Sequence, residues 1–197
     1  PPPGSTAIIG GAKFETKLPR ITRLLERYTE VLLGGALGND LIKARGLPFG
    51  SSLVSNVSVP MEVAANERLV VPTDAIFAQV GSHAERSGSV VDIRVNESII
   101  DIGPVTAKAW SEKISRAPFV LWNGPVGIYE EGYRDGTNAL ASALVASQAR
   151  AVVGGGDTAA AIEQYTFDPE RVFVSTGGGA MLQFLVDGTL PGIDALY

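Results

Sequence analysis

The sequence has no cysteine, one histidine and two methionines among 197 residues. The absence of cysteine excludes a disulfide scaffold and any thiolate metal centre. There is no excess of positive charge either: the formal net charge is −5, so the chain lacks the basic footprint of a nucleic-acid binder. Any phosphate it holds must be held locally, by backbone and a few lysines. No apolar run approaches the ~20 residues that cross a bilayer. The opening stretch PPPGSTAIIGG has neither the charged nor the apolar region of a secretory leader. It reads as a linker entering a strand, which leads us to expect a piece of a longer chain and, by default, a cytoplasmic location. The Walker pattern G-x-x-x-x-G-K-[ST] is also absent.

What is present suits a globular domain. Hydrophobic residues make up 45% of the chain, and a domain of this size buries roughly 70% of its unfolded surface without a staple. We therefore expect one domain over residues 1–197. Short apolar runs alternate with helical periodicities. Strands are expected at 6–10, 30–35, 68–74, 119–124, 151–156 and 171–179. Helices are expected at 19–28, 37–45, 106–115, 136–147, 158–165 and 180–186. Ile21, Leu24, Leu25 and Tyr28 fall at i, i+3, i+4, i+7 on one helical face. Residues 89–103 suggest a hairpin around Asn96 whose second arm enters the main sheet. The polar stretch 81–88, which contains His83, reads as a mobile surface loop. Alternating strands and helices, with strands apolar on both faces, predict an α/β fold: a Rossmann-like three-layer α/β/α domain with a mainly parallel sheet.

Glycines stand at nearly every expected strand end: Gly10–Gly11, Gly34–Gly35, Gly103, Gly124, Gly154–Gly156 and Gly177–Gly179. The carboxyl ends of parallel strands share one edge of a sheet, and ligands bind along it. Glycine lets a ligand approach the backbone and lets successive N–H groups face an anion. Any one glycine pair is more often a tight turn than a ligand site; their gathering at one edge favours a ligand. Asp157 suits a helix N-cap. Gly154, Gly156 and Ala159 fit the dinucleotide fingerprint G-x-G-x-x-[GA]. That fingerprint also wants an acid at the end of the next strand, about 20 residues on, where the chain has Ser175–Thr176. Lys13 and Lys17 follow the first strand four residues apart. They read either as a solvated face or, on the ligand edge, as a clamp for a phosphoryl group.

The motifs AIIGGAKFETKL, LLGGALGNDLIKARG, DIGPVTAKAW, VLWNGPVGIYE, GTNALASAL, VVGGGDTAAAI and VFVSTGGGAMLQFL occur in an order and spacing that resemble the carboxyl-terminal, nucleotide-binding half of phosphoglycerate kinase. The resemblance covers most of the chain and loosens over 55–98. It implies that Lys17 holds nucleotide phosphates and that Lys13 stabilises the group in flight. It places adenine in an apolar slot near Gly34, Gly35, Ile102, Gly103, Pro125 and Ile128, with Asn123 in the nucleotide site. Glu130 is expected on the ribose hydroxyls. Gly155, Gly156, Asp157 and Thr158 are expected to form the phosphate loop, with Asp157 serving a magnesium ion. The STGGG turn is expected near the hinge and transfer site.

The resemblance further implies ATP and ADP as substrates with Mg2+, 3-phosphoglycerate as partner through an amino-terminal half that these residues do not include, and a monomer. It leads us to expect that the 197 residues alone bind nucleotide with little turnover. Three positions depart from the pattern: Thr16 stands where many members have aspartate, Ile99 where many have glycine, and 53–69 is shorter than usual. A stand-alone nucleotide-binding module and a Rossmann-type NAD-binding domain are the alternatives.

Overall fold

The computed structural model describes residues 1–12, 14–56, 58–79 and 84–196, with the backbone alone at 14–16. Lys13 and His83, both singled out above, lie outside the described residues.

The chain opens with β1 (Thr6–Ile9), α1 (Phe14–Arg27), β2 (Glu30–Leu33), α2 (Gly35–Ala44), the short α3 (Met61–Ala64) and β3 (Leu69–Val70). It continues through β4 (Asp74–Gln79), β5 (Glu85–Ser89), β6 (Glu97–Ile102) and α4 (Pro104–Arg116). It closes with β7 (Phe119–Asn123), α5 (Asp135–Ala146), β8 (Arg150–Gly154), α6 (Gly156–Ala161), β9 (Val172–Ser175), α7 (Gly178–Asp187) and α8 (Pro191–Asp194). Six strands form one sheet in the order β3-β2-β1-β7-β8-β9, and every adjacent pair is parallel. The chain works outward from β1 to β3, then returns to pair β7 on the other side of β1. The strand order thus reverses between β1 and β7, which is where an open parallel sheet leaves a crevice for a ligand.

Two apolar layers cover the two faces. Ile8, Leu32, Val120, Trp122 and Val153 meet Trp110 and Ile114 of α4 and Leu140 and Leu144 of α5. Ala7, Ile9, Val31, Leu33 and Leu121 meet Ile21, Leu24 and Leu25 of α1, Leu37 and Leu41 of α2, and Leu182 and Val186 of α7. The period-2 alternation of a strand sends successive side chains to opposite layers, and burial on both faces is why these strands read as unbroken apolar runs. The expected three-layer α/β/α architecture stands.

The structure differs from the sequence reading between 68 and 103. The third strand of the main sheet is only Leu69–Val70, and β4, β5 and β6 make a separate antiparallel sheet in the order β5-β4-β6. The expected hairpin around Asn96 is absent from that stretch: Val90–Asp92 is a 3-10 turn, and β6 pairs β4 instead of entering the main sheet. Residues 85–88 of the expected loop fall in β5 (Glu85–Ser89). This strand is polar, ERSGS, and its extended form is imposed by pairing to β4. A third apolar cluster of Ile42, Ala75, Phe77, Val90, Ile93 and Ile99 fixes the small sheet against α2.

Helix α1 also starts earlier than expected, at Phe14, with Pro19 inside it. Proline suits the first helical position, which is why the sequence points to a start at 19. An interior proline forfeits one backbone hydrogen bond, and the buried face of Ile21, Leu24, Leu25 and Tyr28 offsets that loss.

Candidate nucleotide site at the strand-order reversal

At the reversal the strand-end loops are bonded to one another. Gly10 N–H donates to Asn123 O at 2.8 Å, Gly11 N–H to Pro125 O at 3.0 Å, Gly35 N–H to Val126 O at 3.1 Å and Leu37 N–H to Gly11 O at 3.2 Å. A Cβ on Gly10 would overlap the Pro125 carbonyl, and one on Gly124 (φ +96°) the Gly10 carbonyl. A Cβ on Gly34 would lie 2.8 Å from Val126 Cβ, and one on Gly178 would overlap the backbone of Gly155. These glycines let one loop's backbone rest on the next. Gly156 and Gly179 differ: a Cβ there meets nothing within 4 Å. Both line open space. Gly124 and Gly178 thus seat loop on loop while also lining a cavity at this edge, whereas Gly156 and Gly179 only face open space.

Two cavities meet at this edge. The first, about 340 Å³, has apolar walls from Leu53, Ile99, Ile100, Val126 and Ile128, with Asn39 inside and Glu130 and Glu131 among its lining residues. The second, about 470 Å³, is lined by Lys17, Arg20, Asn123, Gly124, Gly155, Gly156, Asp157, Thr158, Thr176, Gly178, Gly179 and Leu182. Gly11, Ala12, Pro125 and Asp157 belong to both walls. An apolar slot thus opens into a glycine-rich basic one, with Asp157 at the junction.

Local chemistry explains most placements. Lys17 Nζ donates to Gly10 O at 2.8 Å, which holds the ammonium at the cavity floor. Asn123 Nδ2 donates to Gly154 O at 2.9 Å and, more weakly, to Gly178 O at 3.4 Å, tying β7 to β8 and to the start of α7. The fully buried Thr158 accepts from Gly124 N–H at 2.7 Å and donates to Gly154 O at 3.0 Å. Its hydroxyl is committed to joining loops, so only its backbone is offered to the cavity. Gly155, at a positive φ of +113° that L side chains rarely adopt, is the N-cap of α6. Asp157 is thus in the first turn of that helix, not its cap, and its carboxylate is exposed. Pro125, Ile128 and Glu130 line the apolar cavity.

Three expected contacts of the base slot are placed differently. Gly34 packs on Val126 and lines neither cavity, while its neighbour Gly35 does line the apolar one. Gly103 caps α4, and a Cβ there would overlap the Asp74 carboxyl group. Asp74 needs that space because it accepts from Val105 N–H at 3.0 Å and Thr106 N–H at 2.7 Å. Ile102 is buried in the core layer beneath α4 and α5. The slot is formed instead by Ile99, singled out above only as a departure from the family pattern, and by Ile100, Leu53, Asn39 and Glu131, which the motifs do not single out. Arg20 was likewise missed; its i+3 spacing from Lys17 becomes visible only once α1 begins at Phe14.

Charge at the site is mixed. The Tyr129 phenol is pushed above its ordinary value by loss of solvent and by the neighbouring carboxylates of Glu130 and Asp157. Behind the apolar slot, buried Asp101 is raised to about 6, chiefly by burial. Its oxygens accept from Ile102 N–H at 2.8 Å and Gly136 N–H at 2.9 Å, so it joins β6 to the start of α5.

Residues 1–188 match the family model described as phosphoglycerate kinase. This chain belongs to the phosphoglycerate kinase family. Among relatives, a phosphoglycerate kinase of Roseiflexus sp. (strain RS-1) is 40% identical over 199 residues, covering 96% of this chain and 50% of its own. One of Coxiella burnetii (strain RSA 493 / Nine Mile phase I) is 37% identical over 200 residues, covering 96% and 51%. Solved phosphoglycerate kinases from Coxiella burnetii and Pyrococcus horikoshii OT3 superpose with TM-scores of 0.85, at 33% and 29% identity, over 98% and 99% of this chain and 52% of each of theirs. The chain spans about half the length of the curated relatives it matches. Membership of this family disfavours the NAD-binding alternative. So does position: the G-x-G-x-x-A stretch follows β8, whereas the strand order reverses between β1 and β7.

Proposed function

We propose that this chain supplies the nucleotide-binding half of a phosphoglycerate kinase: it holds Mg-ADP or Mg-ATP during reversible phosphoryl transfer between ATP and 3-phosphoglycerate, a glycolytic reaction of the cytoplasm. The observation that carries this reading is the pair of cavities, apolar then basic, sharing Gly11, Ala12, Pro125 and Asp157 at the strand-order reversal. The base fits the slot of Ile99, Ile100, Val126 and Ile128. The ribose hydroxyls fall to Glu130, and the phosphates to Lys17, Lys13 and the backbone of Gly155–Thr158.

Phosphoryl transfer demands alignment and charge stabilisation more than covalent help. Lysine supplies a compact charge that can follow the group between donor and acceptor. Open glycines let backbone N–H groups reach phosphate oxygens. Among the described residues there is no cluster of three or more histidine, cysteine or carboxylate groups. Asp157 alone at the junction fits magnesium, which is held mostly by phosphate oxygens and water with one or two carboxylates. Bound there, the ion would neutralise phosphate charge.

Titration calorimetry tests the reading. The 197-residue chain is expected to bind Mg-ADP and to prefer it over NAD, with 3-phosphoglycerate turnover slight in a coupled assay. Lys17→Ala is expected to weaken Mg-ADP by about tenfold or more, the cost of one charge-assisted phosphate contact. Unchanged affinity, or tight NAD binding without ADP preference, contradicts the assignment.

A further inference from the structure

Helix α1 turns three arginines, Arg20, Arg23 and Arg27, toward α7 at i, i+3, i+7 spacing. Two of them have partners there: Arg23 pairs with Asp187 Oδ1 at 2.6 Å, and Arg27 donates to Leu185 O at 3.3 Å. Both are at the carboxyl-terminal end of α7, where the helix dipole favours a cation. Arg20 is at the other end. It lines the basic cavity beside Thr176, Gly178, Gly179 and Leu182 and has no side-chain partner among the described residues. A guanidinium near the first turn of α7 faces unpaired N–H groups and a positive dipole end, with the Lys17 ammonium lining the same cavity. Among the described lining residues the one carboxylate, Asp157, is at the wall shared with the apolar slot. Three positive sources converge on open space beside Gly179, where a Cβ would meet nothing within 4 Å. An anion in that space would meet favourable charge from all three.

We propose that Arg20 binds the terminal phosphoryl group of the nucleotide and so sets the preference of this site for a nucleoside triphosphate over a diphosphate. This rests on the nucleotide reading above. With the base in the apolar slot, the first phosphate falls at the shared wall and later phosphates run toward α7. The last of them reaches Arg20, which can offer two parallel N–H donors to its oxygens.

The test is calorimetric titration of AMP, Mg-ADP and Mg-ATP into the chain and its Arg20→Met and Arg20→Lys variants. Arg20→Met is expected to weaken Mg-ATP about tenfold, a bidentate charged contact, while Mg-ADP changes by less than about threefold and AMP not at all. Arg20→Lys is expected to recover part of the Mg-ATP loss. A merely structural role would weaken all three ligands together, so an unchanged ATP:ADP ratio in Arg20→Met overturns the proposal. If Arg20→Met does not fold, Arg20→Gln, which keeps an amide donor, is held to the same ratio. Failure of the unmodified chain to bind any of the three overturns the nucleotide reading instead, and this proposal with it.

Discussion

At the scale of single residues, glycines do two different jobs that the sequence alone does not separate. Gly124 has φ +96° and its Cβ would overlap the Gly10 carbonyl. Gly124→Ala is therefore expected to destabilise the chain by at least about 2 kcal/mol in urea unfolding, combining left-handed strain with overpacking. Gly156 has open space around it, so Gly156→Ala is expected to stay within about 1 kcal/mol of the parent while weakening Mg-ADP. Equal stabilities for the two variants would contradict this division. Asp101 gives a pH prediction of unusual sign. Its carboxyl is raised from 3.8 to about 6 in the folded chain, mainly by burial, so the folded state binds the proton more tightly than the unfolded one. Its contribution to stability is fully present below 3.8 and is lost as pH rises through about 6. A carboxyl-carbon NMR titration is expected to show a midpoint near 6; a midpoint at the ordinary aspartate value contradicts it.

At the scale of elements, legibility followed the strength of the apolar pattern. The buried face of α1, at Ile21, Leu24, Leu25 and Tyr28, was readable because its period is unambiguous. The strands β1, β2, β7 and β8 were readable because double burial makes them continuous. The small sheet was not readable. Its edge strand ERSGS carries no apolar signal, and β4 holds its place by pairing with strands on either side. What fixes that sheet is partly electrostatic. Arg86 lies 4.6 Å above the Phe77 ring and donates to Glu97 at 2.6 and 2.8 Å, while Arg94 N–H donates to Glu97 at 2.9 Å. These bonds, Arg86 foremost, hold the Glu97 carboxyl down at about 2. Its contribution is present above the ordinary glutamate value and is lost as pH falls toward 2. Glu97→Ala is expected to raise amide exchange across β5 and β6 while leaving β1 and β7 protected; uniform exchange would show that the knot does not hold the sheet. That sheet also carries Ile99 into the apolar slot. Ile99→Ala is expected to weaken ADP and adenosine alike, by about fivefold from the lost apolar area, and to leave pyrophosphate affinity unchanged.

At the scale of the whole molecule, one topological fact organises the rest. The chain works away from β1 on one side, returns, and pairs β7 on the other, so loops at 10–12, 35–36, 124–128 and 155–158, with residues 99–100 of β6, arrive at one rim. That convergence was legible from the sequence because nearly every strand end carried glycine. Which glycines closed on a neighbour and which faced the cavity was not, since Gly34 and Gly103 look like Gly35 and Gly156 until the neighbouring backbone is in place. The basic half of the site was partly hidden for a similar reason: Arg20 looks like any helix-surface arginine until α7 is beside it.

The account's central claim is that the two adjoining cavities hold one nucleotide, base in the apolar slot and phosphates in the basic one. A crystal structure of the chain with Mg-ADP tests it most directly. The account predicts the base against Ile99, Ile100 and Val126, with the diphosphate over Gly156 and within hydrogen-bond reach of Lys17. Nucleotide density at another surface, with this rim filled only by solvent, would contradict it.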